Sequence, residues 1–366
     1  MYGNASAFAE LTYKPDGSYS LAANDGVGNV TTDNFDADGT KTGDSWQQAD
    51  GSHGSDTYNA DGSSTGTTIN PDGSSSSYSD DGAGNATTDN FAPDGTKTSD
   101  NWQHADGSHG SDTYNADGSQ ENMGTYKDSN GDGGSYTDDF KSFADGSYTD
   151  TYSQTDGSYG NESYNAPTGE DQGADYSAST GVTSNYYNDS SNGSYAYSSF
   201  DINGAMLSDS WRHADGSHGN DTYNADGSSS GVEYAADGTH SSYTNDGQGN
   251  AETDHYAADG TLTGDTWTES DGYHGSDTYN ADGSSSGLEY APDGTYSSYT
   301  NDGQGNAETD YYATDGTLSS DYWRSSDGTN GWATYNYDAD GRLISDAWSE
   351  SDGYHGSNTY NADGSS

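Results

Sequence analysis

The chain has no cysteine, which excludes disulfides and thiolate zinc sites. Aliphatic residues are nearly as scarce: Val, Ile and Leu together number 14 in 366 residues. That excludes an ordinary aliphatic core, and low aliphatic content with high net charge is the usual composition of a disordered chain. Cations are few as well. Eight Lys and Arg stand against 62 Asp and Glu, a net charge of −54. Phosphate backbones and anionic membrane surfaces are repelled by such a field, so nucleic acid is excluded as a partner. No apolar run is long enough to span a bilayer as a helix, and no membrane insertion is expected. Residues 1 to 20 have neither the basic start nor the apolar run of a secretory leader.

What is present in quantity is aromatic: 33 Tyr, 7 Trp and 6 Phe. Disordered chains are poor in such residues. Tyr and Trp bury large areas while keeping a polar tip in water. Cohesion must therefore come from aromatic contacts and backbone ladders.

The second feature is repetition. Gly follows Asp at positions 17, 26, 39, 51, 62, 73, 82, 95, 107 and 118, spaced 9, 13, 12, 11 and 11 residues and then 9, 13, 12 and 11 again. The pattern closes on a 56-residue period, which Trp46 and Trp102, and Trp211, Trp267 and Trp323, also obey. Residues 1–366 read as a single array of about six copies, each of about five hairpin sub-repeats. Residues 119–204 are a degenerate stretch, and an extra unit lies near 329–346.

Each Asp-Gly marks a turn. In Asn59-Ala60-Asp61-Gly62 the first three residues suit a type I turn, and Gly then takes the left-handed conformation of a G1 bulge. All five prolines (Pro15, Pro71, Pro93, Pro167 and Pro292) sit two residues before a Gly, the second turn position, where φ near −65° is wanted. Seven or eight residues of strand character separate the turns. An acid recurs two residues before an aromatic, as in Asp44/Trp46, Asp56/Tyr58 and Asp277/Tyr279. Residues i and i+2 share a strand face. One face is therefore expected to carry acids and aromatics, and the other mostly Ser, Thr and Gly.

Strands joined by tight turns are antiparallel. The expected fold class is all-β: tandem antiparallel hairpins in a meander of about 30 strands. It is expected to coil into a superhelical, solenoid-like or shell-like array, because so long a sheet does not stay flat and open. Stacked coils would bury the periodic tryptophans. Helix is excluded by the dominance of Gly, Ser, Asp and Asn.

Residues 335–343 read Tyr-Asn-Tyr-Asp-Ala-Asp-Gly-Arg-Leu. This resembles the tyrosine-aspartate (YD) repeat of bacterial Rhs proteins and animal teneurins, Tyr-Asp-x-x-Gly-Arg-Leu. The turns at Tyr58, Tyr114, Tyr223 and Tyr279 keep the Tyr, a polar residue and the Gly but replace Arg-Leu, often with Ser-Ser. The resemblance is thus good in one unit and weak elsewhere. It implies a spiral β-shell of hairpins in surface or secreted proteins that encapsulate toxins or bind carbohydrate. The chain is too short to enclose a cargo and has no distinct C-terminal toxin segment.

Chemistry is sparse. Asp128, Asn130 and Asp132, with Asp139 at the twelfth position and Gly133 at the sixth, match the ligand spacing of an EF-hand-type Ca²⁺ loop. The flanks are not helical, and a degenerate Asp-Gly turn explains the same residues. The loops Asp81–Asn85, Asp246–Asn250 and Asp302–Asn306 read either as Ca²⁺-loop fragments or as longer turns. His53, His109, His218, His274 and His355 recur in Asp-Gly-(Ser/Tyr)-His-Gly units. They form a metal- or pH-sensing stripe only if coils stack; otherwise they are exposed strand positions. No nucleophile elbow, phosphate loop or Ser/His/Asp arrangement is present, and near-identical repeats supply many equal sites rather than one special one. The chain is not expected to be an enzyme.

The leading expectation is an extracellular structural repeat of a bacterial surface fibre, adhesin stalk or matrix filament. Both ends fall inside a repeat without a polar cap, which favours continuation or self-association by strand addition. The alternatives are a carbohydrate-binding or Ca²⁺-binding module, or a fragment of an Rhs-type toxin-delivery protein. In each case the acidity calls for Ca²⁺ or a screening salt.

Overall fold

The structure is a computed structural model, and it describes residues 6–127 and 134–361. Among these it contains 31 strands, β1 (Phe8–Tyr13) to β31 (His355–Thr359), and no helix. The chain divides into two compact units, Met1–Ser191 and Asn192–Ser366, with the division inside the degenerate stretch. Within each unit every strand pairs antiparallel with its sequence neighbours, as the meander requires.

The turns form as their residues dictate. Gly62 N–H donates to the Asn59 carbonyl at 3.0 Å, and Asn59 N–H to Ser63 O at 2.8 Å. This closes a type I turn with a G1 bulge. Gly62, Gly118, Gly227 and Gly283 have φ of +90°, +90°, +86° and +85°, where an L side chain is strained. The Asp61 carboxylate accepts from the Ser63 amide at 3.0 Å and the Ser63 hydroxyl at 2.7 Å. Four prolines occupy the expected second position. Pro167 does not: its turn is one residue wider, closed by Gly169 N–H on the Asn165 carbonyl at 2.8 Å.

Within each unit, strands touch only their sequence neighbours among the described residues. Burial therefore comes from within the sheet face rather than from stacked coils. The one buried apolar residue described is Ala333, at 7% exposure, and no large side chain is fully buried. Instead, aromatic rings lie across glycines of the adjoining strand. Trp46 in β4 (Lys41–Gln47) stands opposite Gly54 in β5 (His53–Tyr58). A Cβ at Gly54 would lie 2.8 Å from Trp46 Cζ2 and 2.3 Å from the Thr67 carbonyl. Tyr78 covers Gly66 in the same way, with Tyr78 Cε1 2.3 Å from where a Cβ would be. The motif recurs as Trp102/Gly110, Trp211/Gly219, Trp267/Gly275, Trp323/Gly331 and Trp348/Gly356. These strand glycines thus belong to the aromatic face, not to the opposite one. A missing side chain leaves a notch into which a neighbour's ring settles.

Register also fixes how successive periods face. Asp33, Asp44, Asp56, Gly66 and Tyr78 are consecutive cross-strand partners and share one face. The next partner of Tyr78 is Thr88, whereas Asp89 lies opposite Ser77, on the other face. The second unit repeats this: Tyr299 meets Thr309, and Asp310 meets Ser298. The cause is the odd number of strands per period. Advancing five strands reverses strand direction while growth continues the same way, and only a rotation that exchanges the two faces does both. Each period therefore displays its acids and rings on the face opposite to the last.

The glycine notch is testable. Gly54→Ala should lower stability by about 1–3 kcal/mol, as overpacking does, measured by thermal melting. In a Trp46→Ala background, itself less stable for want of the ring, Gly54→Ala should cost less than it does in the parent chain. If Gly54→Ala alone is neutral, the ring does not need the notch.

Candidate functional site

The densest chemistry lies in the carboxylate rows. Asp33, Asp44 and Asp56 stand directly opposite one another on three neighbouring strands, an arrangement that like charge opposes. A bulge resolves part of it. The register shifts between Asn34 and Phe35, so that Phe35 pairs with Lys41 while Asn34 pairs with Gly43. Without that extra residue Lys41 would share the face of Gly43. With it, Lys41 Nζ lies 2.7 Å from Asp33 Oδ1 and 2.6 Å from Asp44 Oδ2. The 12-residue Asp-Gly spacing, one longer than the regular 11, is its sequence signal. Lys97 bridges Asp89 and Asp100 in the same way, at 2.7 and 2.6 Å.

Tyrosine supplies the second device. Tyr58 OH donates to Asp44 Oδ2 at 3.1 Å, Tyr114 to Asp100 at 3.0 Å, Tyr279 to Asp265 at 2.9 Å and Tyr335 to Asp321 at 2.7 Å. Each donor lies 14 residues after its acceptor, diagonally across the hairpin. Tyr335 lies two residues before Tyr337, the tyrosine of the Tyr-Asp-x-x-Gly-Arg-Leu match.

The members of a row titrate apart. Burial works against ionisation of Asp100, but Lys97 and Tyr114 hold its carboxyl below the ordinary value. Asp112, the third member, is pushed up to about 6 by burial and by the Asp100 carboxylate facing it. Asp138 is likewise pushed up to about 6, by burial and by Asp150.

In the second unit the lysine position holds Leu262 and Leu318, and Thr31 and Thr87 of the first unit give way to Glu252 and Glu308. The row then has more acid and no ammonium. Oxygens of Glu308, Asp310 and Asp321 lie within 4.8 Å of one another. Burial, and then Asp310 and Asp321, push the Glu308 carboxyl upward. Hard oxygen donors in this number suit Ca²⁺. Sequence reasoning missed this group because its members come from two strands and are brought together only by register.

Of the expected Ca²⁺ loop, Asp128, Asn130 and Asp132 lie outside the described residues. Asp139 sits within β12 (Ser135–Ser142), between Met123 and Thr151, with Lys141 Nζ 3.4 Å from its Oδ2. The Asp81–Asn85 loop is a turn with two positive-φ glycines, Gly82 and Gly84. The Asp81 Oδ1 accepts from Ala83 N–H at 2.7 Å and Asn85 N–H at 3.0 Å. Its 246–250 and 302–306 counterparts are built alike. The recurrent histidines begin strands rather than forming a stripe. Two of them open ring ladders along the sheet: His218–Tyr234–His240–Tyr256, at 4.7, 4.7 and 4.6 Å, and His274–Tyr290–Tyr296–Tyr312, at 5.1, 5.4 and 4.5 Å.

One aromatic group breaks the repeat. Trp332 and Tyr322 are cross-strand partners on the face that also carries Tyr311, and they are 50%, 42% and 46% exposed. One period earlier the same positions hold Ser276, Thr266 and His255.

No protein-family model matches the chain, and no curated protein matches it. Among solved structures it is similar to a chain in the crystal structure of TcdB2-TccC3-Cdc42, at 12% identity and a TM-score of 0.16. That likeness covers 95% of this chain and 27% of the other, and it carries no argument about what this chain does.

Asp112 and Asp138 bind their protons more tightly folded than unfolded. Their contribution is present below the ordinary carboxylate range and is lost as pH rises through about 6. Turn aspartates such as Asp61, lowered by the Ser63 hydroxyl and amide, contribute above that range and lose their effect as pH falls through the folded value. The melting temperature should therefore peak between roughly pH 4 and 6. Asp112→Asn should raise it at pH 8 by roughly 2–4 °C. In EDTA at that pH, millimolar CaCl₂ should raise it further, and less so in Asp310→Asn. A flat pH profile would remove the coupled-row account.

Proposed function

We propose that the chain is an extracellular structural repeat of a bacterial surface fibre, adhesin stalk or matrix filament. The supporting observation is that each strand contacts only its sequence neighbours within a unit. Reach then grows with repeat number, while the positive-φ turns and the ring-over-glycine notches recur from period to period. Such an array has no catalytic role. Ca²⁺ enters this reading as the counter-ion of rows that lack lysine. A role as a fragment of an Rhs-type toxin-delivery protein rests on the 335–343 motif alone. Removal of one period, residues 251–306, tests the structural reading by small-angle scattering. The shortened chain should stay folded and lose roughly 24 Å of maximum dimension, five strands at about 4.8 Å each. An unchanged dimension, or loss of folding, sinks the reading.

A second reading, carbohydrate binding, is favoured by the exposed Tyr311, Tyr322 and Trp332. Open ring faces suit the C–H faces of a sugar, and the Thr309, Ser320 and Thr334 hydroxyls of the same sheet face suit its hydroxyls. Tyr322→Thr with Trp332→Ser restores the residues of the preceding period and should leave the fold intact. On a glycan array, binding should fall at least tenfold in that variant. Equal binding by both proteins would place any sugar site elsewhere.

A further inference from the structure

The exposed Tyr311, Tyr322 and Trp332 stand at one end of a longer feature of the second unit. Register places Asp277, Tyr299, Tyr322 and Trp332 in one cross-strand row, and Trp267, Glu289 and Tyr311 in the row beside it on the same face. From β23 (Leu262–Thr268) to β28 (Leu318–Arg324) these rows line a groove of about 860 Å³, to which Tyr273 also contributes. Trp332, in β29 (Asn330–Tyr337), continues the face beyond it.

Comparison with the preceding period shows what is special here. Trp267, Asp277, Glu289 and Tyr299 have the counterparts Trp211, Asp221, Glu233 and Tyr243, so the acids and these two rings are common to both periods. Tyr273, Tyr311, Tyr322 and Trp332 stand where the earlier period has Ser217, His255, Thr266 and Ser276. Four new rings are thus gathered along one groove. All are open to solvent, Tyr273 at 36%.

We infer that this groove binds a linear polymer of amino sugars with free ammonium groups, laid across the strands. The inference rests on the carbohydrate reading above and names its ligand. Length selects a polymer. Tyr273, at the head of β24 (His274–Tyr279), and Trp332 are five strands apart, roughly 24 Å at about 4.8 Å each, which a single sugar does not span. Ring faces stack on the C–H faces of successive sugars. The Thr309, Ser320 and Thr334 hydroxyls between them meet sugar hydroxyls.

Charge selects the ammonium. The groove is lined by Asp277 and Glu289 and by no Lys or Arg, in a chain of net charge −54. A cleft lined by one sign of charge concentrates the opposite ion, and an ammonium above a Tyr or Trp face is attracted further. Arg324 shares the face beyond Tyr322 and leaves the Asp277–Glu289 end without a cation. Anionic glycans are repelled. A basic peptide would match the charge but finds no backbone to bind. The groove crosses strands paired on both sides, whereas extended peptides are captured at free sheet edges.

Isothermal titration calorimetry at low salt and about pH 6, where carboxylates are ionised, tests this with a linear glucosamine hexamer and the same hexamer fully N-acetylated, which is neutral. The charged hexamer should bind at least tenfold more tightly, and about 1 M NaCl should erase the difference. Glu289→Gln should weaken the charged hexamer at least threefold and leave the acetylated one unchanged, with circular dichroism unaltered. Tyr322→Thr with Trp332→Ser should weaken both. Equal affinity for the two hexamers would overturn the ammonium and leave the carbohydrate reading standing. Binding of neither hexamer, with a blank glycan array, would sink that reading and this inference together. A charged hexamer indifferent to all of these substitutions would overturn the groove as its site. Hexalysine bound as tightly as the charged sugar would overturn the sugar in favour of a peptide.

Discussion

The fit of an aromatic ring over a strand glycine is the interaction on which the sheet depends. With 14 aliphatic residues and, among the described residues, no second layer on either face within a unit, apolar surface is removed from water where one side chain lies flat on the neighbouring strand or on a neighbouring ring. A Cβ at Gly54 would meet the indole of Trp46 and the Thr67 carbonyl at once, so ring and glycine come as a pair. This explains how a composition that usually gives disorder supports continuous strands. Tyr and Trp bring area, Gly brings room, and neither needs a core behind it.

Charge is handled by the same lateral logic. Opposed aspartates are tolerated because each row carries its own relief: a lysine swung onto the right face by a bulge, a tyrosine hydroxyl from the diagonal position, or a proton held by burial and by the facing carboxylate. Where Leu318 replaces the lysine and Glu308 is added, the row is left with a deficit of positive charge. The two units are therefore electrostatically different versions of one motif.

Much of this was legible in the sequence, and the limits are instructive. Turns could be read because type I turns with a G1 bulge impose residue types at fixed offsets, and Gly62 and its counterparts adopt the conformation those offsets demand. The strands and their antiparallel order follow from the turns. Pro167 misled because its Gly169 belongs to a wider loop. Gly43 and Gly264 lie opposite the acids and rings as expected, but Gly54, Gly66 and their counterparts were assigned to the wrong face, because sequence shows alternation within a strand but not which neighbour's ring fills a gap. The Glu308, Asp310 and Asp321 group was invisible for a related reason: Asp310 and Asp321 meet only through register. The bulge left a trace in the spacing of 12 against 11, but that trace names an extra residue without saying that it carries Lys41 across the sheet.

The five-strand period also gives the array a parity. Insertion or loss of one 56-residue unit turns over every strand beyond it within the same sheet, while two such events restore the original sidedness. Lineages that gain or shed single repeats would thus alternate between versions in which a distal feature, such as the aromatic group at Trp332, looks toward or away from a given proximal one. Selection on such a chain can act on whether the number of units is odd or even, quite apart from how long it is.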